Sequence, residues 1–195
     1  MNRLVGCVLG AFFVLGAGLA NAAVMDQMSL AELSTEAEVV AHGMVVSSAS
    51  RFEDAPHAAR IVTDVTVRLI DKVRGIGPDE ADIVVTTLGG EMGERGQWVP
   101  GAPRFAVGDE VVLFLTGPLM SSVGARYVPV GLSQGVFFVD RVTDANRILV
   151  RQRMAGVAFR TAMGTIDDAP AGLVTGLQDM LNGARKGCPS TSQDR

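Results

Sequence analysis

The chain has 195 residues, and its 17 basic and 21 acidic side chains give a net charge of −4 at neutral pH. A chain of this length can fold as one domain with a sizeable core. An acidic domain has no electrostatic attraction to nucleic-acid backbones or anionic lipid head groups, so the composition argues against both as partners.

Residues 1–22 have the pattern of a cleavable signal peptide. Arg3 provides a basic start, and residues 4–19 are apolar apart from their glycines. The Ala-Asn-Ala tripeptide that follows has the small residues that signal peptidase requires, which predicts cleavage after Ala22. The apolar run is shorter than the roughly 20 residues that span a bilayer, so we expect no stable membrane anchor. The expected location is therefore the periplasm or the extracellular space.

Cleavage at this point changes the charge and the cysteine content. It removes Arg3 and Cys7, which leaves 16 basic and 21 acidic residues, a net charge of −5. Cys188 is then the only cysteine, so the mature chain can form no internal disulfide. It lies in a polar tail, residues 186–195, that we expect to be disordered. Its thiol is either idle or available for an intermolecular disulfide.

The predicted elements indicate a mainly β domain over residues 23–185. Ser29 and Glu32 form a capping box, which predicts a short helix ending near Glu36. The predicted strands are residues 39–48, 61–73, 83–88, 111–115, 127–130, 135–139 and 147–151. A final helix has one apolar stripe, made of Leu173, Leu177, Met180, Leu181 and Ala184. Short strands at close spacing are typical of a barrel or sandwich, and we expect the final helix to cap it.

Residues 89–105 predict a long irregular loop with a binding role. The loop has five glycines, two prolines and no periodicity, and long loops in compact domains are often functional. It contains the only Trp of the chain, Trp98. That side chain either covers an edge of the core or contacts a partner. The candidate binding residues are Glu91, Arg95, Gln97, Trp98 and Arg104.

Residues 131–135, Gly-Leu-Ser-Gln-Gly, match the G-x-S-x-G motif of serine hydrolases. In that motif a strand turns sharply into a helix and exposes the Ser hydroxyl. Here a predicted strand follows, and both histidines, His42 and His57, precede Ser133 rather than following it. This order excludes an α/β-hydrolase, although the order His57, Asp, Ser133 of chymotrypsin-like enzymes remains formally open. A glycine-flanked turn is the simpler interpretation, and a serine hydrolase using Ser133 is an alternative.

Other motifs predict neither a metal nor a cofactor. Two distant histidines without a cysteine cluster have no zinc-binding spacing. The acidic run at residues 79–82 lacks the alternating oxygen ligands of a calcium loop. The pattern formed by Gly90, Gly93 and Gly96 lacks the lysine of a phosphate-binding loop. Glu91 and Glu94, within this pattern, would repel phosphate.

Several segments together resemble known proteins. They are residues 26–33 (DQMSLAEL), 37–45 (AEVVAHGMV), 63–67 (TDVTV), 74–75 (RG), 89–91 (GGE), 104–110 (RFAVGDE), 112–115 (VLFL) and 134–135 (QG). In this order they resemble a group of uncharacterised exported bacterial proteins. More distantly they resemble the OB-fold domains of netrins and tissue inhibitors of metalloproteinases. Residues 74–75 take the place of a strand-ending Lys-Gly, and residues 108–114 that of a G-x-x-Y-L-F/I strand.

The resemblance implies an OB-like, closed or partly open β-barrel with a short N-terminal helix and a C-terminal helix. It also implies binding to a secreted protein, with a protease as one class of partner. The zinc-chelating N-terminal cysteine of those inhibitors is absent, because the expected mature chain begins at Ala23. We therefore expect an exported, non-enzymatic protein-binding module. The alternatives are a hydrolase using Ser133 and an OB-type binder of oligosaccharides or nucleic acids, although the acidic charge disfavours nucleic acids.

Overall fold

A computed structural model describes residues 23–54, 59–122, 124–142, 147–154, 157–160, 166–168 and 174–186. The expected signal peptide, His57 and all but the first residue of the expected tail, including Cys188, lie outside these residues. The strands are β1 (Ala23–Asp26), β2 (Val39–Phe52), β3 (Ile61–Arg74), β4 (Asp82–Leu88), β5 (Gly90–Met92), β6 (Arg95–Gln97), β7 (Glu110–Ser121), β8 (Gly124–Pro129), β9 (Val136–Val142), β10 (Arg147–Arg151), β11 (Val157–Arg160), β12 (Ile166–Asp168) and β13 (Val174–Gly176). The helices are α1 (Leu30–Glu36) and α2 (Leu177–Lys186), and a 3₁₀ turn spans Leu132–Gly135.

The first helix begins where the capping box predicts. The Ser29 hydroxyl accepts a hydrogen bond from the Glu32 backbone N–H at 3.2 Å, and the Ser29 N–H donates to Glu32 Oε2 at 2.7 Å. These two bonds satisfy N–H groups that a helix start otherwise leaves free. The helix ends at Glu36, and the predicted bounds are confirmed.

Most strands belong to one mainly antiparallel sheet. Its order is β13-β10-β9-β7-β2-β3-β4-β8, and β8 also pairs with β7. The five strands β7, β2, β3, β4 and β8 therefore close partly into a ring. Within this sheet β4 and β8 pair in parallel, through a single residue pair, Val85 with Tyr127. The molecule is mainly β, as the spacing of the strands predicts.

β7 lies between two apolar clusters. Val111, Leu113 and Leu115 face the interior of the ring, where they pack with side chains of β2, β3, β4 and β9. Val112 and Phe114 face the opposite side and pack with α1, α2, β9 and β10. All five side chains are fully buried. This confirms the prediction of a strand buried on both faces.

A separate three-stranded sheet contains the N-terminal strand. Its order is β1-β11-β12, and β1 runs parallel to β11 with Ala23 opposite Val157. No sequence pattern predicts β1, because it is short and its partner is distant in the chain.

The prediction of an irregular loop over residues 89–105 is wrong for its first half. Gly90–Met92 and Arg95–Gln97 pair as an antiparallel β5–β6 hairpin. Strands of three residues that contain glycine show no measurable alternation, so the sequence pattern misses them. β2 and β7 also extend beyond their predicted C-terminal ends, where their residues are exposed or partly buried.

Candidate functional site

The β5–β6 hairpin and the residues after it line a groove of about 540 Å³. We call residues 99–105 the wall of the groove and Ser48, Ser50, Thr63 and Thr87 its floor. The floor lies on β2, β3 and β4. Thr63 is two residues from Val65, which packs in the ring interior, and alternate strand residues share a face. The groove therefore opens at one end of the ring interior, where apolar side chains give way to hydroxyls.

Two hydroxyls of the floor, those of Ser50 and Thr63, are ordered by hydrogen bonds. Ser50, Thr63 and Thr87 lie side by side in the strand register. Thr63 Oγ1 donates to the Gly89 carbonyl at 2.7 Å and lies 3.1 Å from Ser50 Oγ. Because a Thr hydroxyl has one proton, Ser50 must be the donor in the second contact. Each oxygen keeps acceptor capacity that a ligand could use.

Two glycines bring the hairpin close to the floor. A Cβ added to Gly90 would lie 2.3 Å from Ser50 Oγ and 2.4 Å from Thr63 Oγ1, and one added to Gly89 would lie 2.6 Å from the Gln97 carbonyl oxygen. Both residues have positive φ, +87° for Gly89 and +137° for Gly90. Only glycine fits here without strain.

The structure brings four of the five predicted binding residues to this groove. Glu91, Gln97, Trp98 and Arg104 line it, whereas Arg95 does not. Gln97 also has a structural contact, because its Oε1 accepts a hydrogen bond from the Ile61 N–H at 2.7 Å. These placements leave the binding role of the residues a prediction.

Trp98 is 58% exposed. An indole that covered an edge of the core would be largely buried, so the exposure favours the second interpretation, a contact anchor. The groove around it carries one acidic and one basic side chain, Glu91 and Arg104.

The floor of the groove has no clear signal in the sequence. Ser48, Ser50, Thr63 and Thr87 lie in strands, where hydroxyl residues are common and carry no functional signal of their own. One signal was present in β3, where the inward face changes from Val65 and Val67 to Thr63. A polar residue at the end of an apolar face can mark the opening of a cavity.

Ser133 lies outside this lining. It is 2% exposed, within the 3₁₀ turn between β8 and β9, and its hydroxyl has no hydrogen-bond partner in the described part of the chain. His42 instead contacts Glu110, with Nε2 and Oε1 2.9 Å apart. The expected turn is present, and the strand predicted after it is β9.

The carboxylate of Glu110 contacts two side chains, His42 and Arg141. Its Oε2 accepts a hydrogen bond from Arg141 at 2.5 Å, and its side chain is 12% exposed. Burial alone would raise the pKa of Glu110, but the hydrogen bonds from His42 and Arg141 outweigh burial and hold the pKa below its ordinary value. The cluster joins β2, β7 and β9.

A second charged cluster lies on the outer face of the ring. Asp64 accepts hydrogen bonds from Arg51 Nε at 2.7 Å and from Thr86 Oγ1 at 2.6 Å, and Arg126 lies 3.4 Å from the same carboxylate. These contacts link β2, β3, β4 and β8. We interpret both charged clusters as parts of the scaffold.

Across the residues that the structure describes, no group of three or more His, Cys, Asp or Glu side chains is arranged to hold a metal ion. Within the same residues, no helix is both long and apolar enough to span a bilayer. A scan against protein-family models finds no match for this chain, and a search of curated proteins finds no relative.

Proposed function

We propose that the protein is an exported, non-enzymatic binding module that holds a segment of a partner protein in the groove. The observation that carries this proposal is the exposure of Trp98 beside the floor. Tryptophan side chains anchor many protein interfaces, because a partner gains a large apolar contact together with a hydrogen-bond donor. The floor offers polar partners below this anchor.

We propose further that the ring is an OB-like barrel. An OB fold is a five-stranded, partly open Greek-key barrel, and five strands close partly into a ring here. The single parallel pair between β4 and β8 is the open part of this ring. OB-like barrels bind ligands with one face and the loops beside it, which is compatible with a groove next to β2 and β3.

The proposed partner is an exported protein, and a secreted protease is the class that the netrin-like resemblance implies. A mature chain with an excess of five acidic residues would attract a basic partner at long range. The groove itself is close to neutral, with Glu91 and Arg104 on its lining, so contact within it would depend on shape and hydrogen bonds.

Substitution of Trp98 tests this proposal. Trp98→Ala should leave the unfolding midpoint unchanged, since the side chain is largely exposed, and should weaken binding of the purified partner at least tenfold. The partner is first captured from the exported fraction on immobilised protein, and its affinity is then measured by calorimetry. Val107→Ala is the matched control, because Val107 is 67% exposed and does not line the groove. Equal affinity of the two variants would contradict the proposal.

The hydroxyl floor favours a second candidate, an oligosaccharide. A pyranose ring can stack on Trp98 while its hydroxyls donate hydrogen bonds to the oxygens of Ser50 and Thr63, and a nearly neutral groove suits a neutral sugar. Because the chain has a single Trp, its fluorescence reports directly on the groove. Titration with cellohexaose, chitohexaose and soluble peptidoglycan fragments should change the emission if a sugar binds. No change with any of them would remove this candidate and leave the protein-binding proposal standing.

A further inference from the structure

We infer that the N-terminal segment, residues 23–28, positions the wall of the groove, and that Gln134 is the residue that holds this segment in place. The inference concerns how the groove is built and is independent of which ligand it binds. It also gives a physical account of residues 131–135, whose resemblance to a catalytic motif the proposed function does not use.

Gln134 binds the N-terminal segment through both ends of its side-chain amide. Its Oε1 accepts a hydrogen bond from the Met28 N–H at 2.7 Å, and its Nε2 donates to the Asp26 carbonyl at 3.1 Å. A donor must meet a carbonyl and an acceptor must meet an N–H, so these partners fix the orientation of the amide. The side chain thus takes the place of a neighbouring β-strand for this part of the segment.

The surroundings of Gln134 hold it firmly. Its side chain is 1% exposed, and its backbone carbonyl accepts a hydrogen bond from Gln152 Nε2 at 2.5 Å. Gly131 has a φ of +57°, and a Cβ added there would lie 2.8 Å from Met28 Sδ. The glycine therefore allows the segment to lie directly on the 3₁₀ turn.

At Gly101 the wall contacts both the N-terminal segment and the 3₁₀ turn. The Ser133 N–H donates to the Gly101 carbonyl at 3.0 Å. A Cβ added to Gly101 would lie 3.2 Å from Met25 Sδ and 2.9 Å from Val157 Cγ2. The middle of the wall thus rests on the N-terminal segment, on β11 and on the 3₁₀ turn.

A chain of contacts therefore runs from Gln134 to the groove. Gln134 holds the backbone on both sides of residue 27, and this places Met25 under Gly101. Val99, Ala102 and Arg104, which flank Gly101, line the groove. Release of the segment would remove one of the supports of the wall while leaving the floor, which belongs to β2, β3 and β4, in place. In this scheme Gln134 is a positioning residue and does not touch a ligand.

Hydrogen exchange of the mature chain, residues 23–195, tests the inference. Gln134→Met keeps the approximate shape of the side chain and removes both hydrogen bonds to the segment. We expect the amides of the wall (residues 99, 101, 102, 104 and 105) to exchange at least tenfold faster, with a smaller change in β2 and β7. Acrylamide should also quench Trp98, which adjoins the wall, more efficiently.

Two further variants make the result decisive. Met25→Ala removes a half-buried contact to the wall without altering Gln134, and it should speed exchange in the same residues even if Gln134→Met does not fold. Val67→Ala removes buried volume from the ring interior without touching the contacts of Gln134 or Met25, and it should speed exchange without selecting the wall. Faster exchange of residues 23–28 with an unchanged wall would overturn the inference. A change in the wall no larger than in Val67→Ala would overturn it as well.

Discussion

At the residue scale, the hydroxyl of Ser133 is buried without a hydrogen-bond partner among the described residues. A polar group in this state has lost its hydration without compensation. We predict that Ser133→Ala raises the free energy of unfolding by about 0.5–2 kcal/mol, measured by urea denaturation. A catalytic serine would give a different result: the wild type would react with a fluorophosphonate probe and the variant would not. Labelling of the wild type would therefore contradict the prediction of a structural residue.

Glu110 is the residue whose protonation should affect stability most directly. Its pKa in the folded protein is lower than the ordinary value of 4.5, so its contribution is fully present above this pH and is lost as the pH falls through the folded pKa. We predict that Glu110→Gln lowers the free energy of unfolding by about 1–3 kcal/mol near neutral pH. Below pH 4.5 the difference between variant and wild type should shrink. Urea denaturation across this range measures both effects.

The control for Glu110 is an exposed ion pair. Arg68 and Asp82 lie 3.1 Å apart, with their side chains 64% and 37% exposed. Asp82→Asn should cost less than about 1 kcal/mol, because water screens such pairs. If Asp82→Asn lowered the free energy of unfolding as much as Glu110→Gln does, burial would not determine the cost of removing the charge.

At the scale of elements, the β5–β6 hairpin depends on the close approach of Gly90 to the floor. We predict that Gly90→Ala lowers the free energy of unfolding by about 2–4 kcal/mol. The added carbon would displace two hydroxyls, and the positive φ of residue 90 is unfavourable for alanine. Gly96→Ala, on the paired strand, has its nearest neighbour at 3.9 Å and should stay within about 1 kcal/mol of the wild type. Thermal unfolding compares the two, and equal midpoints would contradict this account of the hairpin.

Some elements could be predicted because their signals are local. The capping box at Ser29 needs four consecutive residues, and the alternation in β3 is visible along one strand. β1 depends instead on a partner strand at the other end of the chain, and the hairpin depends on glycines whose close contacts appear only in the folded protein. No local pattern encodes such pairings.

The groove could be predicted only in part for the same reason. Trp98 stands out in the sequence as a single tryptophan among turn residues, and it lines the groove. Arg95 lies in the same stretch of sequence, but at the start of β6 it does not line the groove. Ser50 and Thr63 come from different strands, and only their pairing places both hydroxyls beneath the hairpin.

At the scale of the whole molecule, β7 connects the two apolar clusters. Leu113 faces one cluster and Phe114 the other, and both are fully buried. We predict that Leu113→Ala and Phe114→Ala each lower the free energy of unfolding by about 2–5 kcal/mol. In each variant, far-UV circular dichroism and Trp98 fluorescence should report the same single transition. Separate midpoints for the two probes would show that the clusters unfold independently.

The parallel pairing of β1 with β11 has a consequence for the order in which the protein can fold. A chain that crosses a membrane in an extended form delivers its N-terminal end first, but Ala23 pairs with Val157, which follows only after most of the domain. Contacts between such distant residues form slowly, because closing the long intervening loop costs entropy. Under the proposed export, β1 would thus be the first strand to leave the membrane and among the last to pair.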